Sequence, residues 1–482
     1  MLQEIRKALK QLQQNMLESV RLRKNLINSL YPNQQASARN LLHYLTLRAE
    51  DIRQLQENLH ETGLSSLASS EGHTLRQLQA ILERLGVKIA PSQLSKCDQH
   101  FARQLLDKHA ELLFGCKSNP TIPHLMVTFD TGHAEDYQSV RQLLQAGMNV
   151  ARINCAHDDE PVWLKMVENV RRASAETGLP CKIYTDLAGP KIRTVLLGKG
   201  LKKGRAKLTE GRYIYLAEQD ATYNSKRVVL GCTLPGIVQQ LRKGNRVLFD
   251  DGKFEAVVDK VKKGVATLLV MRCSGAKPKL KAEKGINFPD STLLVNSLTT
   301  EDEASLPFIR QNADLIGYSF VRTPADLERL QDLLGDGDSP SIILKIETPE
   351  AVNNLPTLLL QGMKHHVFGV MIARGDLAVE IGFERLSEIQ EEILWICEAA
   401  HVPVIWATQV METLNKSGLA TRSEVTDAAH AAFAECVMIN KGGYTLRVIE
   451  ALKDILQRSG AHRDKKRFTF RSLGIAQRFM KG

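Results

Sequence analysis

The chain has 482 residues, a formal net charge of +10 and 43% hydrophobic residues. This length exceeds that of one ordinary domain, and the composition is globular, with no apolar run long enough to span a membrane. The basic balance suits anionic small molecules; nucleic acid is disfavoured because no basic repeat is interleaved with aromatic residues. The eight cysteines form no CxxC pair and the N-terminus lacks a signal-like apolar stretch, so we expect a cytoplasmic protein with reduced thiols.

The first 115 residues are predicted to form an all-helical domain. They are rich in Leu, Gln, Glu and Arg, and apolar residues recur at intervals of three and four, as in residues 38–59 and 73–85. The histidines of this region are isolated, and nothing in it has the chemistry of an active site. We expect that any homo-oligomer of the chain forms through this domain.

Eight short apolar runs follow residue 120, and all but one of the junctions between them are of helix size. Strands that are apolar on both faces and separated by helices indicate a parallel sheet. Eight such units are the number that closes a (β/α)8 barrel, with an open doubly wound sheet as the alternative. The runs cover residues 124–128, 149–153, 181–186, 314–320, 341–347, 366–373, 402–408 and 436–440.

The junction after the third run is the exception, because about 110 residues separate it from the next helix, which a capping-box pattern places at Thr300. Hairpin-spaced strands with Gly and Asp-Gly turns fill this segment, which is also basic. We interpret it as a small β-barrel domain inserted in a βα loop, where it is placed to act as a lid. The predicted parts are 1–115 (helical), 120–193 and 285–460 (barrel), 194–284 (lid) and 461–482 (basic tail).

Charged residues at the ends of two neighbouring runs are the strongest sign of catalysis. Lys345 and Glu347 alternate on one strand and therefore point the same way. Asp376 follows the next run, beside Gly375, whose lack of a side chain lets the backbone approach a ligand. Two carboxylates at neighbouring strand ends suit Mg²⁺. The structural alternatives are a buried ion pair and a helix cap for Asp376, but the strand-end position in a barrel favours catalysis.

Three further motifs are each, alone, more often structural than functional. Arg152 lies in an apolar run and needs an anion, Lys191 and Arg193 follow a Gly-Pro turn, and Thr408 ends a run. No P-loop is present. A phosphoryl-transfer site would therefore rely on cations and metal at strand ends, which is sufficient because this chemistry depends on positioning and charge neutralisation.

Taken in order, these motifs resemble those of pyruvate kinase, the glycolytic enzyme. The similar stretches span residues 120 to about 457 and include GMNVARIN, DLAGPKIR, KGINFP, GYSFVR, ILKIE, VMIARGDLAVEI and WATQVMETL. The resemblance implies transfer of a phosphoryl group between phosphoenolpyruvate and ADP, giving pyruvate and ATP, with Mg²⁺ or Mn²⁺ as cofactor. It implies small-molecule substrates, and no nucleic-acid or membrane partner.

The resemblance also assigns roles by position. Lys345 would stabilise the phosphoryl group in transit, Glu347 and Asp376 would hold Mg²⁺, and Thr408 would help to protonate the enolate. The phosphoenolpyruvate pocket would be lined by Ser319, Lys345, the Gly375 backbone, Asp376 and Thr408. The nucleotide residues would be Arg152, which is also counted as catalytic, with Asn154, His157, Arg193 and Lys284.

The monovalent-cation site of the family maps to Asn154, Ala156, Asp186 and Leu187, and here it is altered. Ala156 stands where a serine is usual, and Lys191 stands where the family often has a glutamate. Both changes weaken a hard-cation site, because one removes an oxygen ligand and the other reverses a nearby charge. We therefore expect that K⁺ is not required.

Other departures keep alternatives open. The loop after the first run reads Thr128-Phe129-Asp130-Thr131-Gly132-His133, unlike the family's nucleotide-binding loop at this position, and the last run continues Asn440-Lys441-Gly442-Gly443. The usual C-terminal effector domain has no counterpart in this sequence, so we expect no sugar-phosphate activation. The alternatives are a Mg²⁺-dependent phosphoenolpyruvate or pyruvate enzyme of another reaction type, such as a carbon–carbon lyase, and a non-catalytic regulatory homologue.

Overall fold

The computed structural model describes residues 1–117, 119–197, 204–218, 227–275, 279–291, 293, 295–335 and 339–460, and the backbone of 463–464 and 467–468. Its first part is helical, as expected. Apolar side chains from the first, third, fourth and fifth helices form a core of their own. The six helices are α1 (Leu2–Leu22), α2 (Lys24–Ser29), α3 (Gln35–Arg48), α4 (Arg53–Glu61), α5 (Thr74–Arg84) and α6 (Gln99–Phe114).

The run of residues 38–59 is two helices, α3 and α4, and not one. The Asp51 side chain accepts a hydrogen bond from the Arg53 amide at 3.1 Å. Such a local side-chain bond competes with helix continuation and begins a new helix instead. The apolar periodicity continues across the break, which is why the pattern alone does not reveal it.

The barrel begins after α6. Its first part contains β1 (His124–Thr128), α7 (Gly132–Glu135), α8 (Tyr137–Ala146), β2 (Val150–Asn154), α9 (Glu160–Thr177) and β3 (Lys182–Asp186). These strands are buried almost throughout, as their apolar sequences predict.

The segment after β3 is a β-rich domain with its own apolar core. Seven of its strands form one sheet, in the order β12-β8-β9-β10-β6-β7-β4, and β5 pairs with β11. The elements are β4 (Thr194–Leu197), β5 (Arg205–Lys207), β6 (Tyr213–Glu218), β7 (Val229–Cys232), α10 (Ile237–Gln240), β8 (Arg246–Phe249), β9 (Phe254–Lys262), β10 (Val265–Cys273), β11 (Lys279–Lys281) and β12 (Ile286–Asn287).

The barrel resumes at α11, which begins at Thr300 as predicted. The capping box, however, joins Thr299 and Asp302, because each side chain of that pair accepts the other's backbone amide at 3.0 Å. The elements are α11 (Thr300–Asn312), β13 (Leu315–Tyr318), α12 (Pro324–Leu334), β14 (Ser341–Ile346), α13 (Pro349–Asn353), α14 (Leu355–Gly362), β15 (Gly369–Ala373), α15 (Arg374–Ile381), α16 (Leu386–Ala399), β16 (Val404–Ala407), α17 (Glu412–Ser417), α18 (Arg422–His430), β17 (Cys436–Ile439) and α19 (Thr445–Gly460). Short 3-10 helices cover Pro32–Gln34, Glu71–His73, Pro91–Gln93, Phe383–Arg385 and Ala431–Phe433.

Eight parallel strands close the barrel. β1 pairs with both β2 and β17, and the order around the barrel is β1-β17-β16-β15-β14-β13-β3-β2. This closure confirms the (β/α)8 prediction and excludes the open sheet. The predicted basic tail, 461–482, lies outside the residues whose side chains are described; its backbone gives the two-residue strands β18 (Arg463–Asp464) and β19 (Arg467–Phe468).

Helix α6 closes the bottom of the barrel. Its Leu113 and Phe114 are buried in one cluster with inward-facing strand residues such as Met126, Tyr184 and Met371. The helical domain thus completes the barrel core at the amino ends of the strands, and the carboxyl ends are left for chemistry. Among the helices of the described residues, none is long and apolar enough to cross a membrane.

Candidate active site

Lys345 is the centre of a buried charged cluster at the carboxyl ends of β3, β13 and β14. Its Nζ lies 3.1 Å from Glu347 Oε1 and 3.2 Å from Asp186 Oδ2, and it donates to Ser319 Oγ at 2.6 Å. Burial alone would lower the pKa of Lys345, but the carboxylates of Asp186 and Glu347 outweigh it and raise that pKa. The ammonium is therefore held charged and aimed at the mouth of the barrel.

Asp186 joins Lys345 to Arg152. Its Oδ2 accepts from Arg152 Nε at 3.1 Å and from a second guanidinium nitrogen, and its Oδ1 accepts from Tyr184 at 3.1 Å. Burial would raise the pKa of Asp186, yet Lys345 and Arg152 together bring it below its usual value. Arg152 also donates to Thr128 Oγ1 at 3.1 Å. The anion that Arg152 was predicted to need is therefore the carboxylate of Asp186.

Glu347 and Asp376, the predicted Mg²⁺ ligands, follow the adjacent strands β14 and β15. Glu347 Oε2 accepts from the Phe320 amide at 2.6 Å, and burial raises the pKa of Glu347 against the opposing effect of Lys345. Asp376 lies in the first turn of α15, where it caps no amide but pairs with Lys191 at 2.9 Å. Both carboxylates thus face a lysine.

The donor set of this pair suits a hard divalent cation but does not enclose one. Within the described ranges, no group of three or more His, Cys, Asp or Glu side chains is placed to hold a metal ion. Mg²⁺ is commonly held by one or two carboxylates while waters and substrate oxygens supply the remaining ligands. Glu347 and Asp376 therefore fit Mg²⁺ bound together with a phosphorylated substrate.

Thr408 and Gly375 meet across the ends of β16 and β15. The Gly375 amide donates to Thr408 Oγ1 at 2.8 Å, and a side chain added at Gly375 would stand 3.6 Å from that oxygen. Because Oγ1 accepts this bond, its own hydrogen is left to donate elsewhere. The hydroxyl hydrogen of Ser319 is already used by contrast, since Ser319 Oγ accepts from Lys345 and donates to the Leu187 carbonyl at 2.6 Å.

The predicted nucleotide residues lie in two groups. Arg152, Asn154 and His157 line a cavity of about 230 Å³ above β1 and β2. Arg193 and Lys284 belong to the inserted domain, where Arg193 donates to the Glu283 carbonyl at 3.1 Å. Lys284 pairs with Asp250 at 3.0 Å. Burial lowers the pKa of His157, and the charges of Lys441 and Arg193 lower it further.

Lys441 is a cavity residue that the sequence motifs did not assign to a site. It follows β17 and lines the same cavity as His157. The sequence offered one signal, a lysine directly after a predicted strand end, but it stood out only as a departure from the resembling motif. The other cation that this cavity adds, Lys416, is paired with Glu412.

The residues predicted to form the altered monovalent-cation site make contacts within the protein. Asn154 Oδ1 accepts from the Ala156 amide at 3.1 Å, and Asp186 is held by Arg152 and Lys345. Lys191, predicted to stand beside them, is instead directed at Asp376. This partner is 185 residues away in sequence and could not be read from the motif.

A cleft of about 620 Å³ separates the inserted domain from the barrel, and Lys191 and Asp376 lie in its wall. Across it Asn287 donates to Glu380 at 2.7 Å. Burial raises the pKa of Glu380 to about 7. Neither residue was singled out from the sequence, although both lie inside the motifs KGINFP and VMIARGDLAVEI.

Comparison with known proteins identifies the family. The family model for the pyruvate kinase barrel domain matches residues 125–445, which include the inserted domain and every residue of the site. This chain belongs to the pyruvate kinase family. A pyruvate kinase of Geobacillus stearothermophilus is 32% identical over 343 residues, which are 69% of this chain and 56% of the relative. One of Mycobacterium tuberculosis is 32% identical over 325 residues, 66% of each chain.

The fold of the pyruvate kinase family is shared as well. The crystal structure of a pyruvate kinase from Cryptosporidium parvum matches with a TM-score of 0.65 and 25% identity over 73% of each chain. This chain spans a little over half the length of the Geobacillus and Bacillus licheniformis relatives. The resemblance predicted from the order of the motifs is therefore confirmed.

Proposed function

We propose that this protein transfers a phosphoryl group between phosphoenolpyruvate and ADP, giving pyruvate and ATP. The observation that carries the proposal is the buried ammonium of Lys345, held by Asp186, Ser319 and Glu347 at the open end of the barrel. Family membership supports the reaction, and the strand-end position of the cluster supports its placement.

Lys345 neutralises charge that develops on the phosphoryl group in transit. Its partners already fix the ammonium in place, so little reorganisation is needed when substrate binds. Next to Lys345, the positive charge of Arg152 is neutralised by the carboxylate of Asp186. This ion pair is already formed before substrate binds. Arg152 contributes by orienting Asp186 and by presenting its edge to the nucleotide cavity.

Glu347 and Asp376 would hold Mg²⁺ or Mn²⁺, which would supply charge neutralisation and orientation for the phosphate oxygens. Asp376 is paired with Lys191, and Lys191 therefore competes for the same carboxylate. We propose that the lysine provides positive charge close to the reacting group, so that the enzyme works without K⁺. The absence of sugar-phosphate activation stays a prediction.

Thr408 helps to protonate the enolate that becomes pyruvate. Its Oγ1 accepts the Gly375 amide, so the hydroxyl hydrogen is free to point at bound substrate. The phosphoenolpyruvate pocket around Thr408 is lined by Lys345, by Ser319, which accepts a hydrogen bond from Lys345, and by the Gly375 backbone.

The nucleotide phosphates bind between the two cationic groups. Asn154 and His157 belong to the barrel side, with Lys441, while Arg193 and Lys284 belong to the inserted domain. Movement of that domain toward the barrel would bring the two groups together on one polyphosphate. The substrates are thus small anions, consistent with the basic charge of the chain.

One observation favours a second candidate, a phosphoenolpyruvate or pyruvate enzyme that uses no nucleotide, such as a carbon–carbon lyase. Three carboxylates, Asp130, Asp158 and Glu412, line the cavity assigned to the nucleotide and oppose an anionic ligand there. The divergent loop after β1 supplies Asp130. Direct binding of ADP separates the two candidates.

The test is a coupled assay with phosphoenolpyruvate, ADP and Mg²⁺, in which lactate dehydrogenase reports pyruvate. Turnover that requires ADP and is lost in Lys345→Met supports the proposal. Titration calorimetry with ADP is run alongside. A folded protein that neither turns over nor binds ADP, but binds phosphoenolpyruvate, would favour the lyase.

A further inference from the structure

The loop that carries Thr408 has an unusual backbone. Thr408 and Gln409 have φ values of 64° and 58°, and Met411 has 49°. Positive φ is unfavourable for residues with a Cβ and most unfavourable for β-branched ones such as threonine. A conformation of this kind persists only where its surroundings hold it.

The side chain of Arg374 stabilises this loop conformation. Its Nε donates to the Ala407 carbonyl at 2.9 Å and one terminal nitrogen donates to the Thr408 carbonyl at 2.5 Å. The guanidinium also lies 4.4 Å from the centre of the Trp406 ring, so it contacts three consecutive residues of the β16 end. The planar fork of an arginine can make these contacts at once, which a lysine cannot.

Asp427, on the outer helix α18, fixes the guanidinium from behind. Asp427 Oδ2 accepts a hydrogen bond from one terminal nitrogen of Arg374 at 2.9 Å, and Asp427 Oδ1 accepts from the other terminal nitrogen. This bidentate pair sets the plane of the guanidinium. Asp427 itself is part-exposed and lies outside the predicted substrate pocket.

Arg374 is also the chain neighbour of Gly375, whose amide donates to Thr408 Oγ1. The side chain of Arg374 holds the Thr408 carbonyl while the next amide holds the Thr408 hydroxyl. Two adjacent residues thus hold Thr408 through its carbonyl and hydroxyl oxygens, and together they fix the position of its Oγ1.

We infer that Arg374, oriented by Asp427, is a positioning residue that sets the Thr408 hydroxyl for proton transfer. The inference rests on the proposed function, in which Thr408 protonates the enolate. It predicts that a change at Asp427 acts on catalysis only through Thr408. A purely structural pair would lower stability and activity without regard to residue 408.

A double-mutant cycle with Asp427→Asn and Thr408→Ala tests this. The readouts are turnover, KM for phosphoenolpyruvate, and exchange of the pyruvate methyl protons with D₂O followed by NMR. Asp427→Asn is expected to lower kcat and the exchange rate about tenfold or more, because small misplacements of a reacting group are costly, with little change in KM. In the Thr408→Ala background, Asp427→Asn should change neither kcat nor the exchange rate. Equal losses in both backgrounds would overturn the inference.

Two further variants keep the test sharp. Asp454→Asn breaks a surface arginine–carboxylate pair with Arg458 on α19 and serves as the matched control, expected to change nothing. Arg374→Lys keeps the charge but loses the fork, and it should reproduce the effect of Asp427→Asn.

Crystal structures of wild type and Asp427→Asn give a readout that needs no activity. The inference expects Thr408 Oγ1 to lose the Gly375 amide or its positive φ in the variant. An unchanged loop would overturn the inference even if turnover fell. A wild-type enzyme without turnover or exchange would instead refute the proposed function, and the crystal structures would still decide the role of Arg374.

Discussion

The ammonium of Lys191 lies 2.9 Å from Oδ1 of Asp376, so a cation on the turn into the inserted domain neutralises a carboxylate at the end of β15. The contact joins the two sides of the cleft at the point where Mg²⁺ is proposed to bind.

The first prediction is that turnover does not depend on K⁺. Initial rates in Na⁺- and K⁺-free tetramethylammonium buffer should equal those after adding KCl at constant ionic strength. We propose that the Lys191 ammonium takes the place of the ion, since a unit charge at ~6 Å contributes roughly 3 kcal/mol at an effective dielectric near 20. Lys191→Glu should lower activity without K⁺ and regain part of it with K⁺, because Ala156 still lacks an oxygen. Strong K⁺ stimulation of the wild type would contradict this.

The second prediction concerns Lys345→Met, which should lower kcat by about 10²–10³, as expected for a preorganised charge that acts on the transition state. The variant should fold but be less stable, because Asp186 and Glu347 lose a buried partner. Circular dichroism and urea unfolding check the fold. Lys182→Met is the matched control, since Lys182 is also on a barrel strand but pairs with Asp314 at the opposite end. Normal turnover of folded Lys345→Met would rule out its role.

The third prediction concerns the metal. Glu347→Gln and Asp376→Asn should each raise the Mg²⁺ or Mn²⁺ concentration for half-maximal rate by at least about tenfold, a loss that is common even for groups that only orient a metal ligand. Asp314→Asn, a carboxylate change at the other end of the barrel, should leave the titration unchanged. If the curves of both site variants overlay the wild type, the metal lies elsewhere.

The fourth prediction is a pH dependence of stability set by Glu380. Burial raises its pKa from 4.5 to about 7. The folded state therefore binds this proton more tightly, and the associated stability is present below pH 4.5 and is lost as the pH rises through 7. At about 1.4 kcal/mol per pH unit, the loss is at most about 3.5 kcal/mol.

Urea unfolding across this pH range tests the Glu380 prediction. The difference in unfolding free energy between wild type and Glu380→Gln should fall as the pH rises from 4.5 to 8. Glu392→Gln, on the exposed side of α16, is the control and should show no such trend. A difference that is constant with pH would show that Glu380 titrates normally.

The fifth prediction is that Lys441→Met raises KM for ADP by about 10–100-fold, which corresponds to one lost charge-assisted hydrogen bond of about 1.5–3 kcal/mol. KM for phosphoenolpyruvate should change little. Lys453→Met, at the far end of the barrel where Lys453 contacts the Ala146 carbonyl, is the control. An unchanged KM for ADP would remove Lys441 from the nucleotide site.

Much of the fold could be predicted from the sequence, because strands and helices leave local patterns. The apolar runs around Arg152 and Lys345 gave the barrel strands, and the hairpin spacing after Asp186 gave the inserted domain. The break at Asp51 was missed because one side-chain hydrogen bond does not disturb the apolar periodicity. The capping box was displaced by one residue because Thr299 and Thr300 offer the same pattern.

The site could be predicted only as far as motif position allows. Lys345, Glu347 and Asp376 stand at strand ends, and strand ends of a barrel converge, so their proximity follows from topology. The partners of Lys191 and Arg374 do not follow, because Asp376 and Asp427 are brought to them by packing between distant segments. Pairing of this kind depends on side-chain direction in the folded state, which no local period records.

Closure of the barrel has a consequence for how the protein is made. β1 pairs with β17, and His124 lies opposite Cys436, more than 300 positions later. A ribosome working at about 5–20 residues per second would take roughly 15–60 s after making β1 to synthesise β17, its pairing partner. During that interval Leu113 and Phe114 of α6 already offer an apolar surface on which the inward faces of the early strands can assemble. The helical domain would then serve the nascent chain as a built-in template, and the active site would be complete only once β17 had been made.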